Sequence, residues 1–467
     1  MICMLPQFNS LFFKKNCFVM IICSILFFFF TPSVTTAEEE EGEFNLIDVE
    51  VLSEFQLVKV EVVSGVDEPT DENDDGRDDG DDNAPSSPAD SSVIPQHVMI
   101  ISEDMVSLDI GKLQDYLDNN SNLGEFVLLN TSQSVSLSKA IIELFIDKNL
   151  LIQQNDVTYY LPAEFMQLVS EQLTDGAQLI ISMKKVDSTS LDNITLLAPM
   201  YDFTIYIQDT DSHTVLGDFN FYMKRQFTME KEVNPDISTG ALYDPQSGEF
   251  SFVPSIFEAL ETKTIASLWS RTNSIYTVIE NPINFKDMYY VPYKDIVHKM
   301  AAKLITTGTT DETFSPFRTI TRHEFTTLMV RALGAATMQV EDYYFIDVLD
   351  SDWYANNLQR AYMLGLVEGY GDQTFKPKQP ITRQQMAAIL YRALQGVGQA
   401  PDVNEERPVF TDWQQINKWA QPAVATMTSI GVMEAQKDGN FAPYGTATRL
   451  DAIVMIEKFL RYVHFID

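Results

Sequence analysis

The chain has 467 residues, a length suited to two to four domains, and its 45% hydrophobic content is enough to build ordinary cores. Its 32 basic side chains against 67 acidic ones give a formal net charge of −35. That balance excludes non-specific attraction to nucleic acid or to an anionic membrane surface.

Residues 1–37 read as an export signal. Lys14 and Lys15 supply the positive start, Cys17 to Phe30 is apolar apart from Ser24, and Thr35-Thr36-Ala37 offers small residues for cleavage. The apolar run is shorter than the about 20 residues of a comfortable membrane span, so no transmembrane segment is expected in the mature form. The alternative is an uncleaved N-terminal anchor. Cys3, Cys17 and Cys23 all lie in this segment. Disulfides and thiolate chemistry are therefore not expected of the mature protein.

Residues 38–63 form a short strand-like segment, with Phe55, Leu57, Val60 and Val62 in partial alternation. Residues 64–96 are rich in Asp, Ser and Pro and read as a disordered acidic linker, because they cannot bury enough apolar surface to offset chain entropy. Within them Asp71, Asn73, Asp75 and Asp82 have the spacing of a calcium loop. No amphipathic helix flanks that loop, and Asp78 stands where an apolar anchor belongs. A solvated linker is the competing reading, and calcium is the one candidate cofactor.

Residues 97–282 read as β-rich, either α+β or sandwich-like. Thr204 to Ile207, Phe219 to Tyr222 and Phe250 to Val253 are aromatic and β-branched runs, separated by turns such as Asp244-Pro245-Gln246-Ser247-Gly248. Helical patches are expected at Ala140 to Phe145 and Ala163 to Leu173. The histidines are scattered with no metal spacing, and no nucleophile or phosphate-loop motif is present. Carboxylate pairs are too numerous in this chain to be informative.

From Phe285 the chain repeats itself. Each unit opens Phe-x-Asp, at Phe285/Asp287, Phe345/Asp347 and Phe410/Asp412. Each then has an Asp-x-x-Phe-x-Pro turn, Asp311 to Pro316, Asp372 to Pro377 and Asp438 to Pro443, followed by Thr321-Arg322, Thr382-Arg383 and Thr448-Arg449. Phe314, Phe375 and Phe441 of these turns are expected in the core. Thr321 with Glu324, Thr382 with Gln385 and Thr448 with Asp451 fit capping boxes. Downstream, Phe325/Leu328/Met329/Ala332 and their counterparts form the stripe of a helix with one buried face. Three such stripes can bury one another, so an all-α, pseudo-three-fold bundle is expected. The three arginines then fall in the first helical turn beside unpartnered amides, a ready site for a carboxylate or phosphate. A salt bridge is the plainer alternative for each.

The units Phe345-x-Asp347, Trp353, Gly365, Gly369-Tyr370, Asp372 to Pro377 and Ile381-Thr382-Arg383 resemble an S-layer homology motif, as do the first and third units. The resemblance covers about residues 283–467, with repeats at 283–336, 343–398 and 408–465. It implies non-covalent anchoring to secondary cell-wall polysaccharide bearing pyruvate ketals, in grooves between repeats. Carried over residue by residue, ligand contact falls on Arg322, Arg383 and Arg449, with support from Thr321, Thr382, Thr448, Gly308, Gly369, Trp353 and Trp419. Three positions depart from the pattern: Pro292 replaces a Trp, Gln385 a Glu, and Ala435 a glycine whose Cβ is expected to obstruct the third groove.

Two functions follow as expectations, beside a third possibility, a surface adhesin or receptor. One is a non-enzymatic, secreted wall anchor with a structural or surface-layer role, its partners being the polysaccharide and other surface-layer proteins. The other is a wall-anchored hydrolase working through residues 97–282. For the acidic stretch, limited proteolysis within residues 64–96 should proceed at the same rate with and without millimolar calcium. Slower cleavage in calcium would establish the loop instead.

Overall fold

The computed structural model describes residues 92–467 except 103, 131–133, 188–193, 211, 338–339, 341–343 and 400–409. The export signal, the segment 38–63 and the candidate calcium residues Asp71 to Asp82 lie outside the described residues.

Ser92–Val93 already pairs in parallel with Phe126 and Val127, and Ile94 is buried. Residues 92–96, assigned to the linker, thus belong to the described fold, because Ser92–Val93 joins a sheet and Ile94 enters the core. One sheet runs in spatial order Ser92–Val93, Glu125–Leu129, Asn149–Gln154, Val157–Leu161, Asp218–Met229, Lys263–Thr272 and Ser255–Leu260. A ten-stranded sheet includes Met200–Gln208, Gln178–Val186, Ser238–Tyr243 and Ile275–Glu280. Strand alternation sets the inner faces: Val157, Tyr159 and Leu161 are buried, as are Thr264, Ala266, Leu268 and Ser270. The two sheets and the helices Lys139–Glu143 and Ala163–Gln172 contribute to one apolar core.

Helices follow. Lys294–Ala302, Ala355–Met363 and Gln421–Ser429 open the three repeats, and Arg322–Ala332, Arg383–Gly396 and Arg449–Tyr462 close them. Each closing helix packs against an opening helix: Arg322–Ala332 on Ala355–Met363, Arg383–Gly396 on Gln421–Ser429, and Arg449–Tyr462 back on Lys294–Ala302. The predicted stripes (Phe325, Leu328, Met329 and their counterparts) are buried in one shared core. Helix alone does not describe this region. Single-residue antiparallel bridges join Thr319 to Thr448, Thr321 to Pro380 and Thr382 to Thr446.

The Phe-x-Asp signature has a direct physical cause. Asp287 accepts from the amides of Phe314 (2.8 Å) and Ser315 (2.7 Å), Asp347 from Phe375 (2.7 Å) and Lys376 (2.8 Å), and Asp412 from Phe441 (2.8 Å) and Ala442 (2.7 Å). The second residue of each pair sits in the left-handed region, with φ 60°, 55° and 56° at Ser315, Lys376 and Ala442. Such a backbone is costly for a non-glycine residue, and two charge-assisted bonds offset that cost.

The junction near residue 283 is a packed interface rather than a free hinge. Phe252 lies in the repeats' core. The Tyr222 hydroxyl donates to Leu333 O (3.1 Å), Arg271 Nη2 to Gly396 O (2.6 Å), and the Ser255 amide to Phe465 O (2.9 Å). Lys303 is fully buried there and donates to Pro235 O and Ser238 O, both at 2.9 Å. Burial pushes its amine down to about 7.

Asp412→Ala should cost about 2–5 kcal/mol of unfolding free energy by leaving two turn amides without their acceptor. Asp412→Asn, which retains one carbonyl acceptor, should cost less. Denaturant unfolding of the intact chain checks the order.

Candidate ligand groove between the repeats

Each Thr-Arg pair opens a helix as the sequence predicts. Thr321 and Thr448 form reciprocal boxes: their amides donate to Glu324 Oε2 (2.9 Å) and Asp451 Oδ2 (2.8 Å), and their hydroxyls accept from the N3 amides at 3.4 and 3.2 Å. The second box is looser. The Thr382 amide donates to Gln385 Oε1 at 3.1 Å, but the buried Thr382 hydroxyl has no hydrogen-bond partner among the described residues.

The expected open anion site at these helix starts is not there. The Arg322 and His323 amides donate to Gln379 O and Pro377 O of the second repeat, at 2.9 and 3.1 Å. Those of Arg383 and Gln384 donate to Gly445 O and Pro443 O of the third, and those of Arg449 and Leu450 to Arg318 O and Pro316 O of the first. The first-turn donors that a free helix would offer to an anion are therefore taken by the neighbouring repeat.

The arginines follow the same cycle. Arg322 Nε donates to Phe375 O (2.9 Å), Arg383 Nε to Phe441 O (2.7 Å) and Arg449 Nε to Phe314 O (3.0 Å). Each guanidinium also lies over the ring of that same phenylalanine, at 4.5, 4.9 and 4.6 Å. Arg383 Nη2 reaches Glu434 O (2.7 Å), and Arg449 Nη2 reaches Thr307 O (2.9 Å). All three side chains are buried, and burial lowers their pKa from the ordinary arginine value. Their first role is to join repeats.

One groove of about 210 Å³ combines residues from all three repeats. Arg449 comes from the third, Thr306 to Thr309, Arg318, Glu324 and Arg331 from the first, and Trp353 from the second. Three of the predicted residues, Gly308, Trp353 and Arg449, are therefore brought together. Trp353 is 62% exposed and meets His323 edge-on at 5.5 Å, so its indole is open to a ligand. Arg318 pairs with Glu324, and the Glu324 carboxyl, against the effect of burial, is held below its usual range by Arg318 and Thr321. Arg322, Arg383, Thr321, Thr382, Thr448, Gly369 and Trp419 do not line this groove. Arg318 and Arg331 were missed in the sequence. The available signal was a basic residue ten positions after every N-cap threonine: Arg331, Arg392 and Lys458.

The glycines differ from expectation. Gly369 has φ 77°, and a Cβ there would come 2.5 Å from Phe345 Cε1. Gly308 lies outside the left-handed region and is required by close approach alone, a Cβ falling 2.0 Å from Thr310 O. Ala435 is not left-handed either, and its turn closes like the others, Gln436 N to Asn440 O at 2.8 Å matching Thr309 N to Thr313 O at 2.8 Å. Alanine does not break the third turn.

A model of the S-layer homology domain matches residues 284–326, 345–387 and 409–453, so the chain carries three such domains. It is 27% identical over 150 residues to a cellulosome-anchoring protein of Acetivibrio thermocellus, covering 32% of this chain and 33% of that one. It is 28% identical over 174 residues to the surface-layer 125 kDa protein of Lysinibacillus sphaericus, covering 36% and 14%. With an amylopullulanase of Thermoanaerobacterium thermosulfurigenes it is 27% identical over 367 residues, covering 76% of this chain and 19% of that one. The chain thus spans a third or less of each of these relatives. The domains mark a secreted, cell-wall-associated surface protein, and among the described residues no helix is long and apolar enough to cross a membrane.

Arg383→Ala should lower unfolding free energy by about 2–5 kcal/mol, because the carbonyls of Phe441 and Glu434 lose their donor. Arg383→Lys should recover little of it, since a point charge cannot serve two carbonyls and a ring at once. Thermal unfolding of the two variants checks this. An unchanged melting temperature for Arg383→Ala would return the residue to a pure ligand role.

Proposed function

We propose that the three repeats form a pseudo-three-fold clamp that anchors the protein to secondary cell-wall polysaccharide through its pyruvate-ketal carboxylates. The observation that carries this reading is the groove joining Arg449, Arg318 and Arg331 to the exposed face of Trp353. A chain of net charge −35 repels an acidic polymer at long range. It can hold one only where fixed cations converge at short range. Guanidiniums match a carboxylate in shape and charge, and an open indole offers a sugar ring a stacking surface. The closed cycle of arginine contacts supports the pseudo-three-fold arrangement.

The β-rich region serves as a structural platform for the repeats and as a surface for contact with other surface-layer proteins, without catalysis. Support comes from the packed junction and from the amylopullulanase match, which covers 76% of this chain yet only 19% of that enzyme. A match of that extent takes in most of the β-rich region as well as repeat sequence, and leaves four fifths of the enzyme elsewhere. The hydrolase alternative draws on relatives named for glucanase activity, but those matches cover only 16–17% of each enzyme.

The intact chain should co-sediment with native wall sacculi and not with sacculi stripped of their secondary polymer. Arg331→Ala combined with Trp353→Ala should weaken that binding at least tenfold, at an unchanged melting temperature. Equal sedimentation with both kinds of sacculi would remove the polysaccharide reading, and reproducible glycan hydrolysis by the intact chain would overturn the non-enzymatic one.

A further inference from the structure

The three junctions share the arginine-to-phenylalanine bond but differ in charge. Thr307, Glu368 and Glu434 hold the same place, immediately before Gly308, Gly369 and Ala435. The equivalence of Thr307 and Glu434 is also structural, since Arg449 Nη2 donates to the carbonyl of the first and Arg383 Nη2 to that of the second. The basic residue ten positions after the N-cap threonine lies opposite, as Arg331, Arg392 and Lys458.

In the second repeat Glu368 pairs with Arg392 at 2.6 Å, and in the third Glu434 pairs with Lys458. In the first repeat the position is a threonine. Arg331 has no carboxylate within ion-pair distance among the described residues, and only the more distant field of Glu249 reaches it from the β-rich region. The one other carboxylate in that groove, Glu324, is already held by Arg318 and by the amide and hydroxyl of Thr321.

We propose that Glu368 and Glu434 are internal carboxylate plugs that occupy the cation their grooves would offer a ligand, and that Thr307 leaves the groove between the third and first repeats as the single working anion site. Thr307 is thus the specificity-determining position, and Arg331 is the second cation that joins Arg449 in holding a ligand carboxylate. This rests on the polysaccharide reading above and adds the stoichiometry, one acidic sugar per chain. A bound carboxylate replaces water around Arg331, whereas at Arg392 or Lys458 it must first displace a glutamate tethered in the same site at high effective concentration.

The second and third repeats also offer a direct route to the converse. Glu368 and Thr307 are both exposed, so exchanging them disturbs no core. The probe is a methyl hexosaminide carrying a 4,6-pyruvate ketal, titrated calorimetrically into the intact chain, with melting temperatures recorded for every variant. The parent should bind one equivalent. Thr307→Glu should weaken binding at least tenfold, and Glu368→Thr should raise the stoichiometry from one to two. Two or more equivalents on the parent, one equivalent remaining on Glu368→Thr, or undiminished affinity in Thr307→Glu would each overturn the plug assignment while leaving the polysaccharide reading in place. No binding to the parent at all would remove both.

Discussion

One buried phenylalanine per repeat holds the helical region together. The amides of Phe314, Phe375 and Phe441 are fixed by the aspartate of their own repeat, and their carbonyls accept from the arginine of another. Their rings lie beneath that same guanidinium. Every polar group of the residue is therefore satisfied in a place where water cannot reach, and each bond crosses either a turn or a repeat boundary. Because Arg449 returns to Phe314, the chain of contacts closes on itself.

That closure changes the meaning of the arginines. A guanidinium has five donors, and those the structure assigns here go to carbonyls of a neighbouring repeat. The helix-start amides are satisfied in the same way. What the proposed reading leaves for a ligand is the outer edge of Arg449 together with Arg331, which is not at a helix start, and the open ring of Trp353. In the proposed clamp, joining repeats and presenting charge fall to opposite sides of one side chain. A substitution at Arg449 would therefore disturb the joint as well as the proposed site, whereas one at Arg331 leaves the joint bonds in place.

Much of the fold was legible in the sequence because it obeys short periods. The aromatic and β-branched runs Thr204 to Ile207, Phe219 to Tyr222 and Phe250 to Val253 and the stripe through Phe325, Leu328 and Met329 are consequences of strand and helix geometry, and they appear where expected. The capping threonines were equally plain. The strand Ser92–Val93 was not, since two residues give no periodicity to read and only their pairing with Phe126 and Val127 defines them. Nor was the backbone at Ala435 legible, because whether a position needs positive φ depends on how its turn closes, which composition does not reveal.

The sequence by itself determined that there are three repeats, where their helices begin, and that the aspartate, the phenylalanine and the Thr-Arg pair recur together, since each is tied to a neighbour by local geometry. Only the tertiary structure decided what those residues face. The partner of Arg449 lies 135 residues away at Phe314, and Trp353 reaches a groove built mainly from another repeat. Local sequence fixes backbone conformation over a few residues. The meeting of Gly308, Arg331, Trp353 and Arg449 depends on how three helices close on one another, and that is set by the packing of their buried faces.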